Sequence, residues 1–140
     1  WCAPCVKEMP ELSALHVENE GVTVLGLAFE DVDDADFEAF LEDAPVSYPI
    51  LKVDVYEPPE PFGAPKVLPT TIILDPEGRA VKAFLGPVTR EYIENFISML
   101  ERRKSRPGFL EFETGLAGPF FVATYVAPTT GFSASHSGQA

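Results

Sequence analysis

The period of the apolar residues switches repeatedly between helical and extended spacing over the first hundred positions, and this alternation restricts the chain to an α/β architecture. Val6, Met9, Leu12 and Leu15 recur at helical spacing, which predicts a helix from Pro4 to about Asn19 with Lys7, Glu8, Glu11 and Glu18 on its outer side. Pro4 suits a first helical turn, Pro10 should kink the helix, and Gly21 ends it. Val22 to Phe29 is apolar and β-branched enough for a buried strand. Asp33 or Asp34 caps a second helix to about Asp43, with Phe37, Phe40 and Leu41 inward. Tyr48 to Val55 holds at most a short strand, and Glu57-Pro58-Pro59-Glu60-Pro61 is an exposed loop. Thr70 to Leu74 pairs with Ala80 to Leu85 through the turn Asp75-Pro76-Glu77-Gly78. Thr89 caps a last helix to about Arg103, with Tyr92, Ile93, Phe96, Ile97 and Leu100 on its buried side. Helix, strand, helix, hairpin, helix is the order of one mixed sheet with helices on both faces.

Composition narrows the function classes. With 140 residues and 46% apolar content the chain can bury one ordinary core. A net charge of −12 excludes a nucleic-acid backbone as the main partner, because phosphate binding needs clustered Lys and Arg. No apolar run approaches the roughly 18 residues of a membrane span, so this chain carries no membrane segment. The charge is uneven: residues 1–101 hold 20 acids and 6 bases, whereas residues 102–140 hold 4 bases and 2 acids. Arg102, Arg103, Lys104 and Arg106 are followed by Pro107-Gly108 and a stretch rich in Gly, Ser, Thr, Ala and Phe. This places a boundary near residue 104, with a domain over 1–103 and a tail over 104–140.

Both cysteines lie in Trp1-Cys2-Ala3-Pro4-Cys5, where the first helix opens. Three apart on a helical turn, their sulfurs can close a small disulfide ring. Cys2 sits at the helix N-terminus, where unpaired N–H groups and the dipole favour a thiolate, and Cys5 lies one turn in and is more shielded. The asymmetry assigns roles: Cys2 attacks a substrate disulfide and Cys5 resolves the mixed disulfide. Pro4 stiffens the ring and Trp1 covers it. A passive structural disulfide is the bland alternative, although so short a loop stabilises little. A zinc site would need Cys2, Cys5, His16 and His136 together, and their spacing fits no ligand pattern.

Val67-Leu68-Pro69-Thr70-Thr71, directly before a strand, adds a second signal. Together with Trp1-Cys2-Ala3-Pro4-Cys5, Lys7-Glu8-Met9-Pro10, Leu74-Asp75-Pro76-Glu77-Gly78 and Gly86, it makes residues 1–100 resemble the TlpA/ResA-like branch of the thioredoxin-fold thiol–disulfide oxidoreductases. The resemblance implies a thioredoxin-like three-layer sandwich and a cis bond at Pro69, with the Leu68 backbone left free to pair with an extended substrate segment. An ordinary trans proline at a strand edge is the alternative for Pro69. The resemblance also implies a carboxylate near the disulfide, best matched by Glu30, that could take a proton from Cys5. Glu30, Asp31, Asp33, Asp34 and Asp36 read equally well as a solvated capping turn. A short helix expected ahead of the proline is replaced by a loop carrying Pro58, Pro59, Pro61 and Pro65.

In such folds the central strand leads into the cysteine pair, and this chain begins after it, as a trimmed or fragmentary chain would. The gap between Val22–Phe29 and Thr70–Leu74 would leave backbone unpaired in the core. Phe121-Val122-Ala123-Thr124-Tyr125-Val126-Ala127-Pro128 looks like the family's strand into the active site, with Tyr125 and Val126 where Trp and Cys would stand. Chance similarity, or a tail of foreign origin such as a shifted reading frame, is the preferred reading; a strand that fills the gap, as in a circular permutant, or the start of a degenerate second unit, is the alternative.

The resulting expectation is a protein-disulfide reductase using the Cys2–Cys5 couple without any other cofactor. It would act on disulfide-containing protein substrates, outside the cytoplasm of a bacterium, and draw electrons from a membrane partner; a cytoplasmic location is the alternative. A non-catalytic binding or metal-delivery module on the same fold is the second class, and no cluster of Met or His near the cysteines supports it. A thiol peroxidase would place a Thr three residues before its reactive Cys, and only Trp1 precedes Cys2.

Overall fold

The computed structural model describes residues 2–43, 45–60, 62–104 and 118–127. Helix α1 spans Ala3–Glu18 and runs through Pro10, with Cys2 as its N-cap residue and Pro4 in its first turn. Its buried stripe is Cys5, Glu8, Met9, Leu12 and Leu15. Glu8 therefore faces inward, contrary to the outer position expected from its charge. The 3.6-residue period puts it on the face of Cys5 and Leu12, and the tertiary structure supplies polar partners there.

Strand β1 (Val22–Ala28) follows, then α2 (Asp34–Asp43), whose first turn is capped by Asp33 accepting from the Asp36 N–H at 2.8 Å. Strand β2 is only Ile50–Lys52. Strands β3 (Thr70–Leu74) and β4 (Ala80–Leu85) form the expected hairpin, whose turn is closed by Asp75 accepting from the Glu77 and Arg79 N–H groups. Helix α3 (Arg90–Lys104) starts after Thr89, whose hydroxyl accepts from the Tyr92 N–H. Ile93 and Ile97 are buried, but Tyr92 is exposed, lying edge-on to Phe84 rather than in the core. Arg90 ties α3 to α1 by pairing with Glu18 as well as Glu94.

The last strand, β5, is Phe120–Val126, and it occupies the middle of the sheet. The order is β2-β1-β5-β3-β4. β5 runs parallel to β1, from Val22↔Phe120 to Ala28↔Val126, and antiparallel to β3, from Thr70↔Tyr125 to Leu74↔Phe121. The tail thus supplies the missing central strand, and the preference for chance similarity is reversed. The reason is the gap itself: β1 and β3 each present a full row of N–H and C=O groups, and seven buried or half-buried residues of β5 satisfy both rows. The change of charge and composition near residue 104 is not the edge of the sheet, because Phe120–Val126 lies within it.

Two apolar clusters lie on the sheet. The larger gathers the buried side chains of all three helices with Val22, Val24, Ala28, Val122 and Val126. The smaller holds Leu27, Ile72, Leu74, Ala123 and Tyr125, against which Val53, Phe62 and Leu68 of the loop before β3 pack. The layer expected to be helical on that face is built, among the described residues, by this proline-rich loop. No helix of the described residues is long and apolar enough to cross a membrane.

Candidate active site

Cys2 and Cys5 are disulfide-bonded, with their Cα atoms 5.3 Å apart. The pair exists because one turn of helix separates the residues, and its placement at the N-terminus of α1 is set by Pro4, which favours a first turn. Both cysteines are buried, at 3% and 1% exposure, in the cluster that also contains Val126 and Ala127 from the end of β5. The end of the central strand thus shares the core of the disulfide although it lies more than a hundred positions away in sequence.

One turn beyond Cys5, Glu8 carries the most perturbed carboxyl of the site. It is 4% exposed. Its Oε1 accepts a hydrogen bond from Thr71 Oγ1 at 3.1 Å, while Oε2 has no partner. Burial pushes its pKa up to about 7; Thr71 opposes this, Glu11 adds to it through like charge, and the Val88 N–H opposes it. Tyr48, buried with its hydroxyl unpartnered, is pushed upward by burial and then by the Glu8 charge. Glu8 also lines a cavity of about 490 Å³ with Pro4, Lys7 and Glu11 of α1 and with Pro87 and Val88 of the loop before α3. Sequence reasoning missed Glu8 by assigning it to the outer face. Its signal was the spacing, since position Cys5 plus three shares the Cys5 side of the helix.

Leu68–Pro69 is a cis peptide bond, and Pro69 is buried. The Pro69 carbonyl accepts from the Gly86 N–H at 2.9 Å, and the Thr70 hydroxyl donates to the Val67 carbonyl at 2.6 Å. Leu68 packs against both apolar clusters, the one holding the cysteines and the one holding Tyr125. The Tyr125 hydroxyl donates to the Gly63 carbonyl at 2.6 Å and so pins the loop that leads to Pro69.

Glu30 follows β1 by two residues, where the Phe29 N–H donates to the Val126 carbonyl. It lines a shallow depression with Asp31, Lys52, Asp54 and Tyr56, separate from the cavity beside Pro4. Burial raises its pKa, and its Oε2 has no partner. Asp33 and Asp34 of the same acidic turn cap α2 and pair with Lys52, as the capping alternative anticipates. His16 is engaged elsewhere, its Nδ1 accepting from the Val24 N–H at 3.0 Å, and no cluster of three or more His, Cys, Asp or Glu that could hold a metal ion occurs among the described residues. Trp1 and His136 lie outside the described residues.

The disulfide pair opens α1, a buried carboxyl lies one turn on, and a cis-proline precedes the β3–β4 hairpin. The sequence matches the model of the AhpC/TSA family over residues 1–83. The chain belongs to the AhpC/TSA family. Within it, the chain is a TlpA/ResA-like member. It is 26% identical over 102 residues to the thiol-disulfide oxidoreductase ResA of Bacillus thuringiensis subsp. konkukian (strain 97-27), a match covering 71% of this chain and 58% of that protein. The ResA of Bacillus subtilis (strain 168) is 26% identical over 109 residues, covering 72% and 56%. That of Geobacillus thermodenitrificans (strain NG80-2) is 27% identical over 103 residues, covering 72% and 58%. The chain therefore spans less than two thirds of the length of these curated relatives. No solved structure matches it.

Proposed function

We propose that the chain is a thiol–disulfide oxidoreductase that reduces protein disulfides with the Cys2–Cys5 couple. The observation that carries the reading is the joined pair at the N-terminus of α1 with the buried Glu8 carboxyl one helical turn behind it. The names of the relatives point to the same reaction class. In the reduced protein the Cys2 thiolate attacks one sulfur of a substrate disulfide, forming a Cys2–substrate bond and releasing the first substrate thiolate. Cys5 then loses its proton to Glu8 and attacks the Cys2 sulfur. The second substrate thiolate leaves, and the Cys2–Cys5 disulfide seen here is regenerated; two electrons pass from the dithiol to the substrate. A carboxyl poised near pH 7 suits this proton transfer, because it accepts and returns a proton at little cost. Glu30, whose pKa burial also raises, remains the second candidate for the same role. The Leu68 backbone beside Pro69 offers an extended substrate segment a strand to pair with. A disulfide-bearing protein is thus the substrate class, with a membrane electron donor restoring the dithiol outside the cytoplasm.

Insulin reduction with dithiothreitol as donor tests the reading. Cys2→Ser is expected to abolish turnover, and Cys5→Ser to accumulate a Cys2–substrate mixed disulfide. Retained turnover in Cys2→Ser would reject the nucleophile. A Cys2–Cys5 potential near about −120 mV, typical of strong oxidants, would reject the reductase direction.

A further inference from the structure

Two threonines sit face to face in the middle of the apolar sheet. Thr71 and Thr124 are register partners on the antiparallel strands β3 and β5, and both are 0% exposed. Their hydroxyl oxygens are 3.3 Å apart, and Thr71 Oγ1 is 3.1 Å from Glu8 Oε1. A Val–Val pair would fill the same space without burying two hydroxyls, which are costly unless partnered. A threonine hydroxyl has one hydrogen to give. If Thr71 spends it on Glu8, the Thr71–Thr124 contact is satisfied only when Thr124 donates into a Thr71 lone pair. Glu8, Thr71 and Thr124 thereby form a chain that links α1, β3 and β5.

We propose that Thr71 and Thr124 are positioning residues for the Glu8 proton: Thr124 donates to Thr71 and so holds the single Thr71 hydrogen on Glu8 Oε1. The inference rests on Glu8 being the proton acceptor of the resolving step. When Glu8 is ionised, the chain runs Thr124 to Thr71 to Glu8. When Glu8 is protonated the direction reverses, Glu8 donating to Thr71 and Thr71 to Thr124. A hydrogen bond to an ionised acceptor is about twice as strong as a neutral one, so the pair favours the carboxylate and counters its burial. The groups facing Glu8 leave this role to the hydroxyls. On α1 they are Lys7 and Glu11; ahead of β2, Tyr48; from the loop before α3, the neutral Val88 N–H. β3 and β5 contribute only Thr71 and Thr124. A strand from the far end of the chain would then tune the chemistry of a helix at its start.

The test is the titration of the Glu8 side-chain carboxyl by ¹³C NMR in the full oxidised chain, beside the pH profile of insulin reduction. Thr71→Val should move the Glu8 midpoint up by about one pH unit, and Thr124→Val should move it the same way by less. Thr71→Ser and Thr124→Ser should restore it. Unchanged midpoints in both Val variants, or Ser variants that behave like Val, would overturn the positioning role. Should Thr71→Val not fold, Thr124→Val, one bond removed from Glu8, decides the matter. The pH profile of Glu8→Gln separates the two readings. If the rate limb near neutrality survives that substitution, Glu8 is not the acceptor, whatever the threonines do to its midpoint. If the limb vanishes in Glu8→Gln yet stays in place in both Val variants, the hydroxyl chain alone is rejected.

Discussion

At the scale of single residues, Glu8 is the most consequential side chain after the cysteines, because its burial ties stability to pH. Its pKa is about 7 in the folded protein against a reference of 4.5. Between those values the folded chain holds a proton that the unfolded chain has lost. The sign follows: its stabilising contribution is complete below about pH 4.5 and disappears as pH rises through about 7. A shift of this size corresponds to about 3 kcal/mol. Urea unfolding at pH 5 and pH 8 should show the parent chain losing more stability over that interval than Glu8→Gln, by up to this amount. Parallel losses in the two proteins would mean that Glu8 does not titrate there. Cys2, Cys5 and Pro4 were legible from the sequence because spacing and helix position are local, whereas the cis bond at Pro69 was expected only from the family resemblance. Glu8 was not legible, because a charged residue on a helix is outward by default, and the groups that offset its burial, Thr71 and the Val88 N–H, are distant in sequence.

At the scale of elements, the helices and the β3–β4 hairpin fell where periodicity and caps placed them, since caps and turns act within a few residues. β2 was weakly marked because it is three residues long and only Ile50 is buried. Its contact with β1 depends on close approach at Gly26, where a Cβ would stand 2.7 Å from Ile50 Cγ1 and 3.2 Å from Tyr48 Cε2. The segment carrying Tyr48 and Ile50 is also clipped to α1 by Ser47, whose N–H and hydroxyl bond to Ser13. It therefore cannot retreat without breaking those bonds. Gly26→Ala should cost about 1–3 kcal/mol by overpacking. Thermal unfolding will measure this, with Leu51→Ala on the exposed side of β2 as a near-neutral comparison. An unchanged midpoint for Gly26→Ala would show that β2 gives way freely.

At the scale of the whole molecule, β5 decides whether there is one sheet or two halves. β2-β1 on one side and β3-β4 on the other meet only through it. It also places Val126 and Ala127 in the apolar cluster that holds the cysteines, reaches Thr71 through Thr124, and holds the loop before Pro69 through Tyr125. Ala123 pairs with Leu25 on one side and Ile72 on the other. Ala123→Pro removes an N–H from the centre of the ladder and should cost about 3 kcal/mol or more. Loss of the cooperative unfolding transition, followed by near-ultraviolet circular dichroism, is the expected result. A transition retained at the parent temperature would argue that the sheet does not depend on this strand.

By itself the sequence determined the local features: where helices begin and end, which segments are strands, and that a cysteine pair opens the first helix. These follow from periodicity, capping and turn chemistry, whose reach is a few residues. Only the tertiary structure decided that Phe120–Val126 is the central strand and that Glu8 lies inside, because both depend on hydrogen-bond partners far away in the chain. An unpaired strand edge accepts any strand of suitable pattern, and nothing in the local sequence of β1 or β3 names which one arrives.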